Sequence, residues 1–231
     1  MTTYHKHIII GSALAGLSTI GIGLLLLFTF PGKADLPEGF RTPIIAFEFA
    51  KTEADLSFLA GNGQAAKMNR EKMDAGHRWD MVFPFAYGGF LSLLLLQLIA
   101  CGHRLAWIGI PFSLLVIPFD INENFTLMKI TEALHNSSPV GESLAELHTA
   151  TWLKWGAIGI TSAVLSVGFL ANREYWSAAV SAIAALSIAV LWASESKPII
   201  AEVMSAVIFL FFLYFAIKAG IQTWRVTRRN V

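Results

Sequence analysis

The sequence predicts an all-α integral membrane protein in which residues 1–231 form a single bundle of transmembrane helices. Composition is the first reason, because 55% of the residues are apolar and the mean hydropathy is +0.59. Charged residues make up only 14% of the chain, whereas a soluble domain of average composition has about 25%. The third reason is that the apolar residues are grouped into stretches of about 20, the length that a helix needs to cross a hydrocarbon core of about 30 Å.

Six such stretches predict six transmembrane helices. In chain order they are residues 8–30, residues 81–100, a stretch that starts at Leu105, and residues 152–171, 175–194 and 199–217. Short connections with turn-forming and charged residues separate them, as in Gly102-His103-Arg104. The long connection, residues 31–78, lies between the first two.

Lysine and arginine residues in the short connections predict the orientation of these helices. One side of the membrane collects Lys6, Arg104, Arg173, Arg225, Arg228 and Arg229. The short loops on the other side hold Lys129 and Lys197. Because cytoplasmic loops carry the excess of positive charge, we expect both termini to be cytoplasmic and residues 31–78 to lie on the outer side.

The long first connection is expected to be partly helical. Its apolar residues recur at helical spacing and predict an amphipathic helix that runs to Ala60: Ile45, Phe49, Leu56 and Leu59. Thr42 as N-cap and Pro43 at the first helical position mark its start. We expect this helix to lie along the outer membrane surface or to cap the bundle. After Gly61-Asn62-Gly63, residues 64–75 are expected to form a second, fully solvated helix.

Asp120, Glu123 and Asn124 predict a polar face inside the third transmembrane helix, because positions i, i+3 and i+4 project from one side. The 15 uncharged residues from Leu105 to Phe119 cover about 22 Å at about 1.5 Å each, so Asp120 is expected inside the hydrocarbon core. The alternative is that this helix reaches the outer surface near residue 120 and that its carboxylates are hydrated.

Lys154, more than one turn inside the fourth helix, is the expected counter-charge. The alternative is that its ammonium snorkels to the headgroups. Charged residues in a span are costly, so each is a candidate functional residue. For Asp80 and Glu202 the alternative is compensation of a helix dipole.

The ionisable residues of the spans concentrate toward the outer leaflet and predict a polar pocket there, roofed by the helix that contains Glu48. The candidate catalytic residues are Asp120, Glu123, Lys154 and Asp80. The candidate substrate-binding residues are Glu48, Tyr87, Asn124, His148 and Glu202. Glu195 belongs to the same outer group.

No metal site is predicted, and the cofactor is left open. Glu132-Ala133-Leu134-His135 is an ExxH unit, but a carboxylate di-iron site needs a second unit and two further glutamates. Oxygen ligands from Asp120, Glu123 and Asn124 suit Mg²⁺ or Ca²⁺, which stays an alternative. The net charge of +1 gives no field that would attract nucleic acid.

The order of these polar residues resembles a pattern in uncharacterised bacterial multi-pass membrane proteins. The pattern consists of Phe47-Glu48-x-Ala50, Asp80 with Tyr87, Asp120-x-x-Glu123-Asn124, and Lys154. It covers residues 47–154, roughly half of the chain. The resemblance implies no activity; it implies that these residues act as a set in a protein of the bacterial inner membrane.

Together, these observations predict an outer-leaflet pocket that binds a small amphipathic or lipid-like molecule, with acid–base catalysis by the carboxylates as an extension. Whether the protein is an enzyme is left open. One alternative is a proton- or cation-coupled transporter, because carboxylates and a lysine in a bundle suit ion relays. Another is a non-catalytic subunit of a membrane complex. Membrane lipids are the expected partners, and oligomerisation is left open. A dead-end cavity favours binding, and a path to the cytoplasmic side favours transport.

Overall fold

The computed structural model describes residues 3–32 and 34–228, with side chains from Lys6 onward, so Arg229 of the orientation argument lies outside the described residues. The regular elements in these ranges are all helices, which confirms the all-α prediction. They are α1 (Thr3–Thr29), α2 (Pro43–Glu48), α3 (Gln64–Asp80), α4 (Phe83–Ala100), α5 (Ala106–His135), α6 (Gly141–Ala171), α7 (Tyr175–Ala193) and α8 (Pro198–Arg228). A short 3₁₀ helix, Glu53–Leu56, lies between α2 and α3.

The helices have the composition of a membrane protein. In the described part of the chain, five segments are long and apolar enough to cross a membrane: Lys6–Thr29, Gln64–Ala100, Gly141–Ala171, Tyr175–Ala193 and Pro198–Arg228. Helix α5, the third predicted span, is not among them, because its uncharged part ends at Phe119 and acidic residues follow. The structure therefore bears out a multi-pass helical protein, and the number of six spans stays a prediction.

The six long helices other than α3 form a closed ring, in the order α1, α4, α5, α6, α7, α8 and back to α1. The interior of the ring is filled by large side chains with almost no exposed surface, among them Phe90, Leu95, Phe211 and Phe215. Glycine permits the closest approach between α1 and α8, since a Cβ atom at Gly16 would lie 3.0 Å from Ala216 Cα. Small residues at such crossings are typical of helix packing in membranes.

The prediction of one amphipathic helix up to Ala60 is wrong in its extent. Helix α2 ends at Glu48, and the 3₁₀ helix begins only at Glu53. The break is stabilised by Asp55, whose Oδ2 accepts hydrogen bonds from the Lys51 and Thr52 amides at 3.0 and 2.8 Å. Burial acts to raise the pKa of Asp55, but these bonds outweigh it and lower the pKa. A capping box of this kind starts a new helical turn and separates it from the preceding one.

The connection between α1 and α4 caps one end of the ring. This connection contains α2, the 3₁₀ helix and α3, and its apolar side chains pack against α5 and α6. They form a second core that includes Phe47, Leu56, Leu59, Met73, Leu127 and Leu147. Of the two expected placements, the structure therefore has the cap. The prediction that residues 64–75 form a fully solvated helix is wrong, because α3 extends to Asp80 and buries Arg70 and His77.

Candidate functional site

Lys154 of α6 lies at the centre of a buried cluster of carboxyl groups. Its Nζ atom is 3.1 Å from Glu48 Oε1 and 3.7 Å from Asp120 Oδ1, and it is in still closer contact with Glu123 Oε2. The centroid of the Trp155 ring is 4.9 Å from the same nitrogen. All five residues are at most 7% exposed, so the lysine does not snorkel to a surface. The burial of Asp120 and Glu123 likewise excludes the alternative that these carboxylates are hydrated at the outer surface.

Helix geometry explains why these residues meet. Asp120 and Glu123 are one turn apart on α5, and both are buried toward α6, the helix that follows after a short connection. Lys154 lies on the face of α6 that packs on α5. Glu48 is the last residue of α2 and reaches the cluster from the cap. The carboxylates therefore come from one long helix of the ring, α5, and from the short helix α2 that covers it.

Neighbouring donors hold the outer oxygens of the cluster. The Tyr87 hydroxyl of α4 donates to Asp120 Oδ2 at 2.7 Å. The Trp155 indole N–H donates to Glu48 Oε2 at 3.2 Å, and the Thr151 hydroxyl donates to the Glu48 backbone oxygen at 3.3 Å. Burial raises the pKa of Glu48, while Lys154 and the indole N–H oppose that rise. Glu48 and Asp120 are thus fixed in orientation.

A second polar layer lies behind the cluster. His77 Nδ1 is 2.9 Å from the Asn124 side-chain oxygen, and the imidazole packs edge-on against Phe30 and Phe47. Since an amide oxygen only accepts, Nδ1 carries the proton of this bond in the described orientation of the amide. Four buried side-chain atoms here have no hydrogen-bond partner among the described residues: His77 Nε2, Asp80 Oδ1, Glu123 Oε1 and Asn124 Nδ2.

The charges of this site do not balance. Glu48, Asp80, Asp120 and Glu123 are four carboxyl groups, and Lys154 is the only cation in contact with them among the described residues. Burial of an uncompensated charge costs several kcal/mol, so a fully ionised cluster is unfavourable. Protonation of a carboxyl group, or a second cation, would reduce this imbalance.

A cavity of about 200 Å³ opens beside the cluster. Its walls are apolar side chains of α1, α2, α4 and α8, namely Leu26, Leu27, Phe30, Ile44, Ile45, Phe83, Ile208, Phe209 and Phe212. One end is polar and is formed by Glu48, Asp80, Tyr87, Asp120 and Lys154. Leu27 and Phe209, at its border, are 62% and 39% exposed. The cavity therefore reaches the apolar outer surface of the bundle between α1 and α8.

The ring is closed beyond Tyr87, toward the other end of α4. Leu91, Leu94, Leu95 and Leu98 are at most 3% exposed and belong to one continuous apolar core. A Cβ atom at Gly88 would lie 2.9 Å from Ile117 Cγ1, which shows how closely α4 and α5 pack there. The cavity ends at the charged cluster.

Three residues of the predicted outer group do not reach the cluster. His148 is exposed and contacts Trp152, with 6.5 Å between the ring centroids. Glu195 lies exposed in the connection between α7 and α8, where its backbone oxygen accepts a bond from Lys51. Glu202 does not contact the cluster. Its Oε1 atom accepts hydrogen bonds from the backbone amides of Arg41 and Thr42, directly before α2, at 2.8 and 2.7 Å. A role as a direct ligand-binding residue does not fit the positions of His148 and Glu202.

Two residues of the site were not predicted. His77 was not selected because it lies in the long connection, and its partner Asn124 is 47 residues further along the chain. Trp155 follows Lys154 directly and is not among the predicted site residues. A tryptophan beside a buried lysine is a signal for a cation–π contact, and it could have identified this ring.

Comparison of the chain with protein-family models, with curated proteins and with solved structures gave no match. In the part of the chain that the structure describes, no group of three or more His, Cys, Asp or Glu side chains is arranged to hold a metal ion. The cluster and its cavity are therefore interpreted on their own geometry.

Proposed function

We propose that this protein is a six-span membrane protein that binds a small amphipathic or lipid-like molecule in the cavity between α1 and α8. In this proposal both termini are cytoplasmic, and the cluster around Lys154 lies at the level of the outer leaflet. The observation that carries the proposal is the form of the cavity, which has apolar walls, a charged end and an exposed apolar border.

The size of the cavity supports a ligand that is only partly enclosed. Pockets that enclose a whole drug-sized ligand have volumes of about 300 to 1,000 Å³. A cavity of about 200 Å³ suits a head group and the first carbons of an apolar chain. Leu27 and Phe209 at its border would let the rest of that chain lie among the membrane lipids.

Acid–base chemistry on the bound head group is an extension of this proposal. Asp120 is held by Tyr87 and Lys154, whereas Asp80 lines the cavity and has no salt bridge among the described residues. A carboxyl group with an unused oxygen beside a ligand can give or take a proton. Asp80 is therefore the best placed of the four candidate catalytic residues, with Glu123 and Lys154 behind it.

Proton-coupled transport is the second candidate, and the excess of carboxyl groups over cations favours it. Transport also requires a path past the cluster. The packed leucines of α4, from Leu91 to Leu98, support a cavity with one opening in preference to a path through the ring. Binding is therefore the better-supported function.

A cavity-filling substitution tests the proposal. A Cβ atom at Gly23 would meet Phe83 Cζ at 3.6 Å, an ordinary contact, and Gly23 lines the cavity, so Gly23→Leu should fill it without forcing α1 away. Gly21→Leu is the matched control, because a Cβ atom there meets nothing within 4 Å and Gly21 does not line the cavity. Both variants and the wild-type protein are purified and examined by native mass spectrometry for retained lipid-like molecules.

We expect a retained molecule in the wild-type protein and in Gly21→Leu, and its loss in Gly23→Leu at unchanged thermal stability. A molecule retained equally by all three proteins, or by none of them, would contradict binding in this cavity.

A further inference from the structure

We infer that the head group of the ligand is an ammonium group with N–H donors, so that the cavity selects amphipathic amines. This inference rests on the proposed function and adds the chemical class of the ligand. It follows from an inventory of hydrogen-bond donors and acceptors at the charged end of the cavity.

The charged donors at this end are already in use, and the amide donor without a strict partner, Asn124 Nδ2, belongs to a residue that does not line the cavity. The Lys154 ammonium has three N–H bonds, and it contacts Glu48, Glu123 and Asp120. The Tyr87 hydroxyl donates to Asp120, and the Trp155 indole donates to Glu48. An anionic head group would find no free charged donor here and would lie beside several carboxyl groups.

The acceptors are in surplus. Of the three carboxyl groups that line the cavity, Glu48 and Asp120 are held by Lys154, whereas Asp80 has no salt bridge among the described residues. Two further carboxyl oxygens with almost no accessible surface, Asp80 Oδ1 and Glu123 Oε1, have no hydrogen-bond partner in the described structure. An N–H donor from a ligand in the cavity would give the Asp80 carboxyl group the partner that the protein does not supply.

Net charge points in the same direction. The four carboxyl groups outnumber the one ammonium, so a second cation improves the charge balance of a site from which water is largely excluded. Among the described residues that line the cavity, the remaining polar side chain is Ser205, whose hydroxyl can donate or accept and does not discriminate between head groups. The apolar walls account for the affinity for an alkyl chain, and the acidic end accounts for the charge preference.

Four probes with the same alkyl chain separate charge from hydrogen bonding: decylamine, decyltrimethylammonium, decanol and decanoate. The full-length protein is placed in phosphatidylcholine nanodiscs, and binding is measured by titration calorimetry against empty nanodiscs. The variants are Asp80→Asn at the cavity, Asp35→Asn as a matched exposed control, and Gly23→Leu to block the cavity.

We expect decylamine to bind on the order of tenfold more tightly than decanol and decyltrimethylammonium, and decanoate to bind weakest. Asp80→Asn should bring decylamine to the affinity of decanol, whereas Asp35→Asn should leave the order unchanged. Gly23→Leu should abolish the binding of all four probes.

The possible failures differ from one another. If decanol or decanoate binds as tightly as decylamine and Gly23→Leu abolishes that binding, the amine inference is wrong and the proposed binding function stands. Equal binding of decylamine and decyltrimethylammonium would overturn the hydrogen bond to Asp80. If no probe binds in a manner that Gly23→Leu abolishes, both the inference and the proposed function are contradicted.

Discussion

At the scale of single residues, Lys154 is the residue that the carboxyl groups of the site surround, and the sequence already predicted an acidic partner for it. An ionisable residue deep in an apolar helix has to find a partner or reach water. The structure brings Glu48, Asp120 and Glu123 to its ammonium at the same time. The helical spacing of Asp120 and Glu123 predicted their shared face, but no spacing could predict that Glu48, in a separate segment, completes the cluster.

The coupling between Lys154 and Glu123 can be measured with a double-mutant cycle. Lys154→Met leaves three buried carboxylates without their cation, and we expect it to lower the free energy of unfolding by about 3–5 kcal/mol. Glu123→Gln should cost less, since the ammonium keeps Glu48 and Asp120. The double variant should lose less than the sum of the two, measured by denaturant unfolding of the detergent-solubilised protein.

The exposed pair Lys129–Glu146 is the control for this cycle. Its charged atoms are 2.9 Å apart, but the two side chains are 56% and 48% exposed. Lys129→Met and Glu146→Gln should each leave the free energy of unfolding close to that of the wild-type protein, because solvent screens an exposed pair. Wild-type stability of Lys154→Met, or strictly additive losses, would mean that Lys154 and Glu123 do not form the buried pair.

At the scale of elements, the short helix α2 decides whether the site is complete. Six residues do not form a stable helix in isolation, so tertiary contacts have to hold α2 in place. Its apolar residues pack into the second core, and Glu202 of α8 binds the backbone directly before it. Glu202 was predicted as a substrate-binding residue; it does not line the cavity, and its carboxylate holds the backbone directly before α2, so we expect it to position Glu48.

Glu202→Ala should therefore loosen the start of α2. The variant removes the acceptor of three hydrogen bonds, which come from the Arg41 amide, the Thr42 amide and the Thr42 hydroxyl. A hydrogen bond to a charged group contributes about 1.5–3 kcal/mol. Hydrogen–deuterium exchange should become faster in residues 41–48 and stay unchanged in α5. Glu195→Ala is the control, because this exposed side chain holds no backbone amide in the described structure. Unchanged exchange in residues 41–48 would exclude the positioning role.

At the scale of the whole molecule, the ring of six helices places the connections alternately at its two ends. Helix α5 was predicted as a span, but it is not among the described helices that are long and apolar enough to cross a membrane. Its position in the ring, between α4 and α6, nevertheless supports a membrane crossing. Asp120, Glu123 and Asn124 of α5 are buried in the bundle, so they lower the hydropathy of the helix without forming part of its exposed face.

Labelling with a membrane-impermeant maleimide tests this topology. Cys101 is exposed, so the experiment uses a Cys101→Ser background, which also serves as the unlabelled control. Ser137→Cys, after α5, should be labelled in intact cells, whereas Thr227→Cys, near the end of α8, should be labelled only after lysis. Labelling of both positions from the same side would remove the six-span arrangement and the orientation with cytoplasmic termini.

The sequence by itself determined that the chain has the composition of an α-helical membrane protein and that Asp120, Glu123 and Lys154 are candidate functional residues. Both conclusions depend on short-range properties: apolar length, helical periodicity and the high cost of a charge in a span. The tertiary structure alone decided which groups meet, because the contacts of Lys154 with Glu48 and of His77 with Asn124 join segments far apart in the chain. It also decided that the long connection is a cap. The apolar side chains of this connection, including those of α3, are buried against the ends of α5 and α6, which are distant in the chain.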